Sequence, residues 1–328
     1  MKEVIIRTDA STTIGSGHVM RCLTIAKKLD QSGFRVRFWM MDVPGNLIHY
    51  IQSQGFANLQ APDYADLYIV DHYGIDKTWE RDHRRYTKHM MVIDDLANRE
   101  HACDVLLDPN IVPVFQTRYN GLVPEHCKQL LGPQYLIMRD EFIAARQNLR
   151  VRSGQVDRLM IFMGGTDPTL ETLKVLKALG TAETRFKDID VVVGDGNAHK
   201  EEIRSTCETR GYHYHCQINY MAQLMQQADF LIGAGGSTAW ERCYVGLPSS
   251  STMVAQNQVA GTVYASQLGA VWNLGWHADV TTRTYAEFMD TLPWQATVLK
   301  ELSRIGLQLT GTVDPNPWLH EIVEMMTC

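Results

Sequence analysis

Short apolar runs that break into an acidic residue or a glycine pair recur along the whole chain, and they constrain its fold more than any other feature. Tyr68-Ile69-Val70-Asp71 and Met91-Val92-Ile93-Asp94 are continuously apolar before turning acidic, and Leu159-Met160-Ile161-Phe162-Met163 runs into Gly164-Gly165. Such a run has no polar face, so it suits a parallel strand covered on both sides whose carboxyl end is the functional edge. Strands are expected at 3–8, 34–40, 66–71, 90–94 and 104–107, with helices near 19–31, 45–54 and 76–86. A helix-like stretch from Arg139 to Arg150 leads into the polar link Val151-Arg152-Ser153-Gly154-Gln155. The alternation then resumes near 159–163, 189–193, 212–216, 229–232, 248–254 and 270–273. This pattern predicts an α/β protein of two doubly wound, Rossmann-like domains facing each other across a cleft. The boundaries are 1–151 and 152–328, with a helix after Pro317 packing back across the junction.

A chain of 328 residues suits two such domains. Its 31 basic and 37 acidic residues give a net charge of −6 with no basic block, which argues against nucleic acid as a partner. No apolar run approaches the ~18 residues of a membrane span, and the N-terminus enters a strand without a signal-peptide pattern. Cysteines 22, 103, 127, 207, 216, 243 and 328 are scattered and never spaced C-x-x-C, as expected of reduced thiols in a cytoplasmic protein. The oligomeric state is not written in the sequence; a monomer is the expectation.

Chemistry concentrates after the first strand, in Ile14-Gly15-Ser16-Gly17-His18-Val19-Met20-Arg21-Cys22-Leu23. Gly15 and Gly17 let the backbone approach a ligand, because no Cβ stands in the way. His18 falls at a helix start above the carboxyl end of a strand, where open α/β sheets bind ligands. The positive end of the helix disfavours an imidazolium there, so His18 is expected neutral and able to take a proton. The bland alternative is a histidine that only bonds backbone.

A second glycine turn, Gly233-Ala234-Gly235-Gly236-Ser237-Thr238, joins a strand to a helix carrying Glu241. Its amides suit an anion, and Ser237 can cap the helix or bond a phosphate oxygen. Glu241, roughly 6 Å of helix rise beyond Ser237, suits ribose hydroxyls. The alternative is close packing with no ligand. Neither turn carries the Walker Gly-Lys-Ser/Thr ending, and Met20 breaks a dinucleotide fingerprint at the first.

Asp71, His72, Tyr73, Asp94, Asp95 and Asp108 share the edge of His18. They suit capping and loop bonding better than a Mg²⁺ site, and Tyr73 suits substrate binding. His213 and His215 share a strand face but lack further zinc ligands. No metal and no cofactor is expected.

These residues resemble a family. Asp9-Ala10-Ser11, the Ile14 to Leu23 segment, Val70-Asp71-x-Tyr73, Ile93-Asp94-Asp95 and Asp108-Pro109-Asn110 are similar to the UDP-sugar hydrolases of pseudaminic acid biosynthesis. So are Gly132-Pro133-x-Tyr135, Arg139-x-Glu141-Phe142, Gly164-Gly165-Thr166-Asp167-Pro168, the Ser237 to Glu241 turn and Ala255-Gln256-Asn257-Gln258. Two segments depart from that pattern, Leu170-Glu171-Thr172 and Asp314-Pro315-Asn316-Pro317. The resemblance implies a glycosyltransferase-B fold. It also implies hydrolysis of UDP-2,4-diacetamido-2,4,6-trideoxy-β-L-altropyranose to UDP and free sugar, with inversion and without metal. His18 matches the general base, and Glu241 and Asn257 match substrate-holding positions. Spacing and resemblance together put Asp9, Gly15, Gly17, Arg21, Tyr73, Gly164, Gly165, Thr166, Gly235, Gly236, Ser237 and Thr238 beside the same small-molecule UDP-sugar. A transferase or a 2-epimerase of the same fold, and a nucleotide-sugar-binding protein without activity, are the rival readings.

Overall fold

A computed structural model describes residues 1–11, 14–311 and 314–327; Cys328 lies outside the described residues. The chain forms two compact units. In the first, β1 (Glu3–Thr8), α1 (Gly17–Gln31), β2 (Arg35–Trp39), α2 (Ile48–Ser53), β3 (Ala57–Leu59), β4 (Ala65–Asp71), α3 (Lys77–His83), β5 (Thr87–Ile93), β6 (Val105–Asp108) and β7 (Lys128–Leu131) follow in order. The strands pair in parallel as β3-β2-β1-β4-β5-β6-β7. Alternate residues of the central strands point to opposite faces. Val4, Ile6, Leu67 and Ile69 enter one core, whereas Ile5, Tyr68 and Val70 enter another, which is why these runs carry no polar alternation.

The second unit contains α4 (Asp140–Arg146), β8 (Arg158–Phe162), α5 (Glu171–Ala178), β9 (Asp188–Val193), α6 (Lys200–Arg210), β10 (His213–Cys216), α7 (Met221–Gln227), β11 (Phe230–Ala234), α8 (Thr238–Tyr244), β12 (Ser249–Met253), α9 (Val259–Gln267), β13 (Trp272–Trp276), α10 (Thr282–Thr291) and α11 (Ala296–Leu309). Its parallel order is β10-β9-β8-β11-β12-β13. In both sheets the strand order reverses once, between β1 and β4 and between β8 and β11. Loops leaving such a pair diverge and open a crevice at the carboxyl ends, the standard ligand position of this architecture.

The division falls between Met138 and Arg139, before α4 and not near residue 152. The reason is local: Glu141 accepts from the Ala222 N–H, and Arg146 donates to the Tyr244 and Leu307 carbonyls. The polar stretch around 152 is anchored as well. Arg152 donates to the carbonyls of Met225, Ala228, Val245 and Gly246, so it clamps helix ends within the second unit.

The terminal helix α12 (Pro317–Thr327) returns to the first unit, where Trp318, Ile322 and Met326 join the core formed by Val4, Ile25 and Phe38. Trp318 is fully buried. Trp318→Ala is therefore expected to destabilise the protein by about 3–5 kcal/mol, the cost of emptying an aromatic site in a packed core. Urea denaturation checks this; a change within 1 kcal/mol would show that α12 is dispensable to that core.

Candidate functional site

At the β1/β4 crevice of the first unit, three side chains of α1 converge on one carboxylate. His18 Nδ1 lies 2.5 Å from Asp71 Oδ1, Arg21 donates from Nε and Nη2 at 2.5 and 2.6 Å, and the Cys22 thiol donates at 3.4 Å. Positions 18, 21 and 22 share one helix face, and Asp71 is the last residue of β4, so the convergence follows from helical spacing and strand order. Burial alone would raise the Asp71 carboxyl, but the charges of Arg21 and His18 and their hydrogen bonds outweigh it and hold it well below the usual carboxylate range. Burial and the Asp71 charge push the Cys22 thiol up, which marks it as packing and not as a nucleophile.

An ionised Asp71 makes Nδ1 of His18 the protonated nitrogen. The nearby Arg21 Nη2, 3.2 Å from Nδ1, is then a second donor to Asp71 and not a partner of the imidazole. His18 is only 7% exposed, yet its Nε2 has no hydrogen-bond partner among the described residues. The Tyr73 ring stands edge-on to the imidazole, centroids 4.4 Å apart and planes at 83°, and so fixes its tilt. The arrangement is an imidazole whose orientation and tautomer are set by a buried acid.

The other first-unit residues divide into scaffold and open backbone. Asp9 accepts from Arg7 at 2.7 Å and from the Met41 N–H at 2.8 Å, with His72 Nε2 at 3.3 Å. Burial raises its carboxyl, but the His72 and Arg7 bonds prevail and hold it low. Gly15 adopts φ +79°, which favours glycine, and donates to the Ser11 carbonyl. A Cβ at Gly15 or Gly17 would meet open space. Arg21 is spent on Asp71 and, at 3.0 Å, on Asp95. Asp94 and Asp108 pair with Arg99 and Arg118 at 2.8 Å each. Among the described residues no three His, Cys, Asp or Glu side chains gather as a metal group.

Beneath this edge lies a buried layer in which His101 Nδ1 meets Glu80 at 2.7 Å and Nε2 lies 3.8 Å from Asp94. Burial would lower the His101 imidazole, but Asp94 and Glu80 raise it to about 9.

In the second unit the β8/β11 crevice is bounded by the two glycine loops. Gly164 has φ +93°, and the Gly165 carbonyl accepts from the Gly194 N–H at 3.0 Å. A Cβ on Gly194 would sit 2.5 Å from that carbonyl, so Thr166 and its loop rest directly on the end of β9. Gly235 is glycine for an internal reason: a Cβ there would lie 2.2 Å from Thr262 Oγ1. Gly236 has no such neighbour, and among the described residues the N–H groups of Gly236 and Ser237 meet no acceptor. Ser237 precedes α8 without capping it through its side chain, and Thr238 opens the helix.

Glu241 is not isolated on its helix. Arg139 donates to both of its oxygens, at 2.9 and 3.2 Å, and also meets Glu141 at 2.6 Å. Each oxygen of Glu241 keeps a lone pair for another donor. Asn257 sits in a short 3₁₀ turn, Gln256–Gln258, whose Gln258 accepts from the Val254 N–H. His213 and His215 face Asp188 and Asp190 at 3.4 and 2.9 Å. Sequence reasoning alone missed the Asp71 partnership and the Arg139 fork, because both join residues far apart in the chain.

The raised His101 imidazole carries a pH signature. Its folded value of about 9 lies above the unfolded value near 6.5, so its contribution is complete below pH ~6.5 and disappears as pH rises through 9. Unfolding free energy is expected to fall by up to about 3 kcal/mol over that window, and His101→Gln is expected to remove the slope. Urea titrations at stepped pH check it; parallel slopes for both proteins would contradict the assignment.

No family model matches the chain. It is similar to the UDP-2,4-diacetamido-2,4,6-trideoxy-β-L-altropyranose hydrolase of Campylobacter jejuni, 26% identical over 81% of this chain and 97% of that protein. An uncharacterised protein of Methanocaldococcus jannaschii is 25% identical over 81% of this chain, and the match spans only 58% of that relative's length. Among solved structures, MurG of Acinetobacter baumannii superposes with a TM-score of 0.63 at 14% identity, covering 100% of this chain and 99% of the other; this likeness is one of fold. The chain thus has the glycosyltransferase-B fold, and in sequence it is similar to the Campylobacter hydrolase.

Proposed function

We propose that the protein is a UDP-sugar-processing enzyme that hydrolyses UDP-2,4-diacetamido-2,4,6-trideoxy-β-L-altropyranose to UDP and the free sugar, with inversion at the anomeric carbon. The observation that carries this reading is the His18–Asp71 pair at the β1/β4 crevice. Likeness to the Campylobacter hydrolase supports the substrate class.

Asp71 holds the Nδ1 proton, so the lone pair of the His18 imidazole lies on Nε2, the nitrogen without a hydrogen-bond partner among the described residues. That nitrogen takes a proton from water as the oxygen attacks the anomeric carbon. The imidazolium that forms is stabilised by Asp71, while Arg21 keeps the carboxylate ionised and in place. Ordinary glycosidases need an acid opposite the base because an alkoxide leaves poorly. UDP leaves readily, and amides of the Gly236–Ser237 turn are suited to accept its charge without rearrangement. One base then suffices. In this reading Glu241, steadied by Arg139, accepts from the ribose, and Asn257, Gly164, Gly165, Thr166, Gly235 and Thr238 border the nucleotide-sugar. Asp9, Gly15, Gly17 and Tyr73 shape the sugar side, with Arg21 acting through Asp71.

His18→Asn is expected to lower turnover by ~10²–10⁴ while UDP affinity stays within about twofold by calorimetry. Asp71→Asn is expected to lose turnover on a similar scale, because the imidazole then loses its fixed tautomer. Undiminished turnover in His18→Asn would refute the base. Glu241→Ala is expected to weaken UDP binding first, and unchanged UDP affinity would remove its ribose role. Product formed only when a sugar or lipid hydroxyl is added would favour a transferase using the same base.

A further inference from the structure

The cations of the second unit are mostly discharged within it. Arg158 forks onto Asp190 at 2.6 and 3.0 Å, Arg150 pairs with Asp229, and Arg152 satisfies its guanidinium on four carbonyls at helix ends. Arg242, like Arg152, faces no carboxylate among the described residues, and it is the more deeply buried of the two. It is 0% exposed, and among the described residues no carboxylate lies within ion-pair distance of it. Its Nη2 donates to the Ala234 carbonyl and to Ser251 Oγ, both at 2.9 Å, and Nη1 donates to the Ser250 carbonyl at 3.3 Å. Its Nε is buried with no partner. Burial pulls the guanidinium down to about 10, so it remains a cation at neutral pH. A buried charge without a counter-ion is costly, and an anion bound near it would offset that cost.

The position of Arg242 says where such an anion would lie. Ala234 ends β11, and Ser250 and Ser251 lie in β12, so the guanidinium bridges two strands where the Gly235–Ser237 turn begins. It fixes the peptide between Ala234 and Gly235 at its carbonyl, while the Gly235 N–H is held by the Thr252 carbonyl at 3.1 Å. The chain makes room for it: a Cβ at Gly233 would sit 2.3 Å from Nη1. The first glycine of the motif thus accommodates a cation beneath the turn.

We propose that Arg242 is the buried positive pole of the nucleotide site, a positioning residue for the Gly235–Ser237 turn whose charge is balanced by the diphosphate of a bound nucleoside diphosphate. This rests on the reading of the second unit as a UDP site. Arg242 touches no ligand atom; it acts through the turn and through its field. It therefore favours the diphosphate, and hence the departing UDP, over an uncharged nucleoside.

Affinities of the full chain for UDP and for uridine, measured by calorimetry and by displacement, test this in the wild type, Arg242→Gln and Arg242→Lys. Arg242→Gln is expected to lose about tenfold in UDP affinity, the scale of one unit charge acting over roughly 10 Å at intermediate dielectric, with uridine affinity unchanged. Arg242→Lys keeps the charge and is expected to hold the UDP-to-uridine ratio within about threefold of wild type. An unchanged ratio in folded Arg242→Gln would overturn the proposal, since a purely structural arginine would weaken both ligands alike or neither. Should Arg242→Gln fail to fold, Arg242→Lys decides: a preserved ratio supports the charge, and a ratio fallen tenfold overturns it. Wild-type protein that binds no UDP would instead overturn the UDP reading itself.

Discussion

The buried carboxylate of Asp71 is the constraint on which the first unit turns. An anion removed from water must be paired and hydrogen-bonded on every side, and Asp71 finds its donors in His18, Arg21 and Cys22, all from one face of α1. That requirement sets the phase of α1 over the sheet. It thereby sets where the Gly15–Gly17 turn ends and which nitrogen of His18 is turned to Asp71. Replacing the pair by apolar groups would satisfy the packing but would remove the oriented imidazole from the crevice.

The two crevices share a strand order and differ in charge. Around β1 and β4 the edge is rich in carboxylates, each neutralised by an arginine: Asp71 by Arg21, Asp94 by Arg99, Asp108 by Arg118. Burial lifts Asp108 to about 6 in spite of Arg118, a measure of how deeply that carboxyl is withdrawn from water. Around β8 and β11 buried acids are present too, Asp167 accepting from the N–H groups that open α5, but the glycine turn after β11 differs. Glu241 is the acid on α8, Arg139 already holds it, and the buried guanidinium of Arg242 lies under the turn. The same scaffold thus carries an imidazole paired with a buried acid in one unit and a buried cation under a glycine turn in the other. The proposal of a base in the first unit and a nucleotide in the second rests on this contrast.

Much of the architecture was legible in the sequence, because strands covered on both faces leave unbroken apolar runs. β1 and the strands ending at Asp71 and Phe162 fall within a residue or two of where those runs place them. Two edge strands, Ala57–Leu59 and Lys128–Leu131, were not legible, since they are short and half polar and gain their structure from neighbours. The stretch around Arg152 reads as a linker by composition, yet its arginine clamps helix ends, a role visible only once the carbonyls of Met225 and Val245 are brought near. At the site, glycine spacing marked both turns but not the reason for each glycine. Gly233 serves Arg242 and Gly235 serves Thr262, contacts that no local pattern reveals. The partnership of His18 with Asp71 spans 53 positions in the chain and depends on β4 lying beside β1, so it too had to await the fold.

The central claim is that a water activated at His18 breaks the bond between the sugar carbon and the UDP oxygen. Hydrolysis of the diacetamido-altrose nucleotide in ¹⁸O-water, followed by mass spectrometry of the released UDP, tests it directly. The account predicts UDP that carries no label, with no acceptor other than water required. Label in the terminal phosphate of UDP, or no release of UDP from that substrate, would contradict it.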